Sequence, residues 1–232
     1  TLHDSVTVVA RSFGKTNNYG VTNWSRTTVA HFFVSGVPAS AANLAITEID
    51  YHPQAPTAAE LLVNTNFTDE DFEFVELRNT GTSLLDLYQV RFINGIHFNF
   101  TTGSVAVLAP AQYVVLVRNQ AAFETRYGPS KPVAGTYDGH LSNAGDRLTL
   151  VDCLGGIIAD FSYLSTWYPA TDGQGYSLQR VNENAAAADA ASHESWRPSW
   201  RYGGTPGTTD PPLDVAPVVI NEIMSHPFPP DG

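Results

Sequence analysis

Cysteine, lysine and long apolar runs are all scarce in this chain of 232 residues. The single cysteine, Cys153, excludes an internal disulfide and a thiolate metal cluster. It follows an apolar strand with Leu148, Leu150 and Leu154 and is expected to be buried as a small hydrophobe. No stretch reaches the ~18 apolar residues of a membrane-spanning helix, and the first residues do not read as a signal peptide. Lys15 and Lys131 are the only lysines, and 12 basic residues face 23 acidic ones, a formal charge of -11. A surface of that sign repels phosphates, so nucleic acid and anionic membranes are not expected as partners. Catalytic signatures are missing too. There is no G-x-S-x-G elbow, no H-E-x-x-H, no P-loop, no dinucleotide-binding glycine loop and no EF-hand spacing. No catalytic, cofactor-binding or metal residue is assigned, and the chain is not expected to be an enzyme.

Turn-forming residues are plentiful, with 18 glycines and 15 prolines, as in extracellular β-rich proteins. One phrase also occurs twice. Ile46 to Pro53 reads I-T-E-I-D-Y-H-P and Ile220 to Pro227 reads I-N-E-I-M-S-H-P. The 174 residues between Ile46 and Ile220 are the length of a whole domain. The expectation is a piece of a longer protein that strings similar domains together, with any catalytic part outside it. Residues 1–36 read as the terminal strands of a truncated upstream β-sandwich module, around V-T-V-V-A-R (Val6 to Arg11) and T-V-A-H-F-F-V (Thr28 to Val34). With Trp24 between them they resemble the end of a fibronectin type III-like module. Residues 37–43 are expected as a linker, 44–207 as the main unit, 208–217 as a Pro/Gly-rich linker and 218–232 as the start of a second repeat.

Within the main unit, strands are expected at Leu44–Ile49, Phe72–Leu77, Leu84–Phe92, Gly95–Phe100, Gln112–Val117, Arg147–Asp152, Ile157–Tyr163 and Tyr176–Arg180. Eight short strands separated by turn signals predict a sandwich or a partly open barrel. One short helix is predicted over Gln120 to Arg126, capped by Asn119. The alanine-dense Ala185 to Ala191 is expected to pack loosely at the surface. In F-E-F-V-E-L, period 2 puts Phe72, Phe74 and Glu76 on one face and Glu73, Val75 and Leu77 on the other, so one glutamate is expected to be partly buried.

Three sets of residues bear on binding. His52, before Pro53, is read as a structural imidazole bonded to backbone groups, with a ligand role as the alternative. Glu48 and Asp50 share a face of the first strand. If that strand pairs with the one carrying Glu76, Glu48 and Glu76 meet, and Asp69 or Asp71 could complete a calcium site. The plainer reading of these carboxylates, and of Glu70 and Glu73, is solvated charge that discourages edge pairing. Trp167, Tyr168, Trp196, Trp200 and Tyr202 cluster late in the unit and either fill the core or form a sugar-binding platform.

An ordered run of phrases resembles the lamin-tail domain, in the version found in large exported bacterial proteins. These are Ile46-Thr47-Glu48-Ile49 with His52-Pro53, Glu73-Phe74-Val75-Glu76-Leu77-Arg78-Asn79-Thr80-Gly81, Asp86-Leu87-Tyr88 and Leu108-Ala109-Pro110-Ala111-Gln112-Tyr113. Leu141-Ser142-Asn143-Ala144-Gly145-Asp146, Asp172-Gly173-Gln174-Gly175-Tyr176-Ser177-Leu178 and Thr205-Pro206-Gly207 follow. Gln89-Val90 stands where that family has Gly-Trp, and Ala111 where it has Gly. The resemblance implies an all-β, immunoglobulin-like β-sandwich. It also implies a non-catalytic interaction or scaffold domain, secreted or at the cell surface, that binds a protein or a cell-envelope component. The alternatives are a carbohydrate- or calcium-binding module, or an accessory domain beside an enzyme outside this chain.

Overall fold

The computed structural model describes residues 2–15 and 22–212. The second copy of the repeated phrase lies outside the described residues. At the start, β1 (Val6–Ala10) pairs antiparallel with β4 (Thr28–Phe32), and β2 (Phe13–Lys15) with β3 (Thr22–Trp24). The two strands expected around Val6 to Arg11 and Thr28 to Val34 therefore pair with each other. Their apolar side chains, Val9, Val29 and Phe32 among them, remain exposed.

The main unit is built from β5 (Val37–Pro38), β6 (Leu44–Asp50), β7 (Phe74–Asn79), β8 (Leu85–Asp86), β9 (Arg91–Asn94), β10 (Ile96–Asn99) and β11 (Val107–Leu108). It continues with β12 (Tyr113–Val117), β13 (Val133–Thr136), β14 (Asp138–Gly139), β15 (Gly145–Val151), β16 (Ile157–Leu164), β17 (Leu178–Arg180) and β18 (Trp196–Pro198). A six-stranded sheet runs β13-β12-β7-β6-β17-β18, and a five-stranded sheet runs β14-β10-β9-β15-β16. A three-stranded sheet, β11-β8-β5, completes the set, so the stretch expected as a linker carries a short strand. Leu44, Ile46, Ile49, Val75, Leu77 and Leu116 from one large sheet meet Phe92, Leu148, Leu150 and Phe161 from the other in a common core. The architecture is an immunoglobulin-like β-sandwich, as the phrases implied.

Two local devices in the six-stranded sheet shape the site. Inward residues of β6 are Leu44 and Ile46, then Ile49, with Tyr51 following just past its end. That three-residue step breaks the two-residue period, and the pairing with β7 shifts register between Ile46 and Glu48 to absorb it. The outer face of the sheet is covered as well. Phe74, Val115 and Val117 pack under Phe123 of the helix α2 (Gln120–Tyr127), with Tyr127 and Val133 alongside. A sheet buried on both faces has no polar side, which is why clean alternation fails in F-E-F-V-E-L.

Several elements depart from expectation. A second helix, α1 (Ala58–Val63), begins at a Thr57/Glu60 capping box, a signal present in the sequence as T-x-x-E. Asp69–Phe72 forms a 3-10 turn, so the predicted strand there starts only at Phe74. Leu84–Phe92 is two strands broken by a turn over Leu87–Val90. The alanine-rich stretch is a 3-10 turn at Ala187–Ala191 whose Ala187 and Ala190 are buried in the main core and not loosely packed at the surface. Cys153 lies in the turn after β15 and is half-buried where full burial was expected. Among the described residues, no helix is long and apolar enough to cross a membrane.

Candidate functional site

Four of the phrases quoted above meet on the outer face of the six-stranded sheet. Glu48 on β6 stands directly opposite Glu76 on β7, and neither has any exposed surface. The Ser177 hydroxyl, from the D-G-x-G-x-S-L phrase, donates to Glu48 Oε1. The Thr205 N–H, from T-P-G, donates to the same oxygen at 3.0 Å. Glu76 Oε1 accepts from the Thr47 hydroxyl, which the register shift brings round, and its Oε2 accepts from Gly207 N–H at 2.6 Å. The closing segment Gly203–Gly207 is thus pinned across β6 and β7 by two carboxyl groups. Gly204, at φ +76°, allows the approach, since a Cβ there would fall 2.2 Å from Glu48 Oε1.

Burial dominates the electrostatics. It pushes Glu48 up to about 8 against the Ser177 and Thr205 bonds, which favour the ionised form, while Asp50 and Asp210 add to the rise. Glu76 is raised by burial and further by the charge of Glu48. Asp50, next on the same face of β6, is pushed up to about 7 by burial, opposed by the Arg126 guanidinium. Glu73 points to the other face, as period 2 predicts. Its Oε2 accepts from Tyr137 Oη and Leu141 N–H, both at 2.9 Å, and burial lifts it to about 8.

The expected pairing of Glu48 with Glu76 is therefore present, whereas Asp69 and Asp71 stand apart from it. Asp71 is held by Thr68 N–H at 2.8 Å and by Asn119 Nδ2 at 3.0 Å, and Asp69 lies 3.6 Å from His52 Nε2. His52 bonds carboxylates where backbone groups were expected, with its Nδ1 2.6 Å from Asp172 Oδ1. Among the described residues, no group of three His, Cys, Asp or Glu could hold a metal ion. The solvated-charge reading fails for Glu48, Glu73 and Glu76, which are fully buried.

The late aromatics divide. Trp196 is buried, stacks on Phe161 at 5.4 Å and donates its Nε1–H to Ala190 O. Trp167 packs on the main core, as does Tyr168, whose hydroxyl donates to Trp196 O. Trp200 and Tyr202 are exposed, at 42% and 59%. Tyr202 borders a cavity of about 260 Å³ whose floor includes Asp50, with Gln54, Thr57, Arg126, Tyr127 and Gly204 around it. Nothing in the linear pattern placed Asp50 in a cavity, because its walls come from four separate segments.

The fold and this arrangement define an immunoglobulin-like domain whose buried Glu48, Glu73 and Glu76 accept from its own backbone. A profile of the lamin tail domain family matches residues 37–165, more than half of the chain, and the chain belongs to that family. It is a family of immunoglobulin-like, non-enzymatic domains. No curated protein and no solved structure matches the chain.

Proposed function

We propose that this chain is a non-catalytic interaction and scaffold domain of a large, exported, modular protein, acting outside the cell or at its surface on a protein or cell-envelope component. In that protein, residues 1–36 end an upstream sandwich module and residues 218–232 open a further lamin-tail repeat after a linker at 208–217. The observation that carries the reading is the engagement of Glu48 and Glu76. A general acid or base must reach a substrate proton, and these two carboxyl groups are buried against Ser177, Thr47, Thr205 and Gly207 of their own chain. For Glu48 and Glu76 the upward shift accompanies a clamp on the closing segment.

The test is equilibrium binding of the labelled chain to isolated envelope fractions, with a protease-treated fraction as control. Saturable, protease-sensitive binding is expected. Turnover of ester, peptide or glycoside substrates without saturable binding would replace this reading with an enzymatic one. A carbohydrate-binding reading rests on the exposure of Trp200 and Tyr202. Binding that survives protease and is competed by soluble glycans would favour it.

A further inference from the structure

The cavity bordered by Tyr202 holds one acidic group, Asp50, without a hydrogen-bond partner among the described residues, and Arg126, which favours its ionised form, stands beyond ion-pair distance. Asp50 is 4% exposed, and among the described residues its carboxylate accepts no hydrogen bond and joins no ion pair. The other polar walls are occupied. Arg126 donates to Glu60 Oε1 at 2.8 Å and Oε2 at 3.1 Å and lies over the Phe72 ring, and Tyr127 Oη donates to Gly203 O at 2.8 Å. Gly175, at φ +85°, lets the Tyr202 ring close against the backbone; a Cβ there would sit 2.4 Å from that ring. The result is a cavity lined by Tyr127, Tyr202 and glycine backbone on one part and by Gln54, Thr57, Glu60 and Arg126 on the rest, with the carboxyl group of Asp50 in its wall. At about 260 Å³ it is smaller than the ~300–1,000 Å³ of drug-sized pockets, and so suits a side chain better than a whole ligand.

We propose that this cavity binds a primary alkylammonium group, the end of a lysine side chain offered by a protein partner. An ammonium supplies the hydrogen-bond donors that Asp50 lacks, Arg126 being held by Glu60, and a slender methylene stem fits beside Tyr127 and Tyr202. A metal ion would need further oxygen ligands, and an anion would meet both Asp50 and a chain of net charge -11. The inference rests on the reading of the chain as a protein-binding module and names the chemistry of its partner.

The experiment titrates N-acetyl-lysine methylamide into the full chain at about pH 8 and low salt, followed by amide chemical shifts. Saturable millimolar binding is expected, with shifts at Gly175, Gly203 and Gly204. The D50N variant should weaken it at least tenfold, a loss of about 1.4 kcal/mol. Y202A, at an exposed position, should weaken it several-fold and carries the test if D50N does not fold. The uncharged N-acetyl-norleucine methylamide should not bind. Absence of saturable binding, or equal binding by D50N, overturns the site; binding of butylamine with exclusion of the lysine amide overturns the assignment to a protein side chain. Envelope binding that persists when the lysine probe fails removes the pocket and leaves the scaffold role. Probe binding through Asp50 without any envelope binding removes the role and leaves the pocket.

Discussion

Gln89 and Ala111 hold backbone that glycine would hold with less strain. Their φ values are +58° and +61°, and they are the only non-glycine residues with positive φ among those described. Each sits third in a four-residue turn closed by a hydrogen bond, from Val90 N–H to Leu87 O and from Gln112 N–H to Ala109 O. A type II turn asks for positive φ at that position, and Pro110 occupies the second position that such a turn favours. These are the two places where the sequence replaces a glycine of the family phrases. The departures left the turns standing and moved the cost into backbone strain, ~1–2 kcal/mol for an L-residue in this region. Restoring glycine adds ~0.4–1 kcal/mol of unfolded-chain entropy, so Q89G and A111G should each stabilise the fold by ~0.5–1 kcal/mol. Urea midpoints that fall in both variants would show that the side chains contribute more than the strain takes away.

Between elements, the closing segment and the strands β6 and β7 act as one titrating unit. Glu48 and Glu73 are raised to about 8 and Asp50 to about 7, each chiefly by burial. An acid whose pKa is higher when folded makes the native state the more protonated one. Its contribution is complete below its unfolded pKa and is lost as pH rises through the folded value. Unfolding free energy should therefore fall between about pH 4.5 and 8, by ~1.4 kcal/mol per pH unit for each proton held only in the native state. Glu60, Asp71 and Asp160 run the other way. Burial raises Glu60 and Asp71, but bonds from Arg126 and Thr57, and from Thr68 and Asn119, bring them lower; Arg147 lowers Asp160. Their contributions are lost in acid, below about pH 4. Replacing Glu48 by Gln, a neutral mimic of the protonated acid, should flatten the alkaline slope by about one proton. An unchanged slope in chemical denaturation across that range would show that Glu48 is ionised in the native state.

Much of this unit was legible in the sequence. Isoleucines and glutamates in I-T-E-I and E-F-V-E-L located both strands, and their pairing brought Glu48 to Glu76. Their burial was not legible, because the cover on the outer face comes from α2 and from Gly203–Gly207, far away along the chain. The helix α1 went unread despite its Thr57/Glu60 box, since Leu62 and Val63 are exposed and leave no apolar stripe to detect. Asp172 as the partner of His52 was likewise hidden, 120 positions away.

At the scale of the whole molecule, stability is uneven. The β1–β4 pair is a two-stranded sheet with Val8, Val9, Val29 and Phe32 open to solvent, and such a sheet is marginal alone. Its visible ties to the main unit include the Ser5 hydroxyl, which donates to Asp86 Oδ2. By contrast β7 and β12 are covered on both faces. Amide hydrogens of Val6–Ala10 should exchange at least ~100-fold faster than those of Val114–Val117. Equal protection would show that the hairpin unfolds together with the sandwich.

The clamp at Thr205 and Gly207 also has a mechanical side. A pull along the chain enters the main unit at the short β5–β8 pairing and leaves through the segment pinned by Glu48 and Glu76. The exit fastening includes N–H bonds to Glu48, raised to about 8 by burial, and to Glu76, raised as well, alongside Asp210, which accepts from Arg197 and from Trp200 N–H. The load at which this domain lets go of its own tail therefore depends on the acidity of its surroundings.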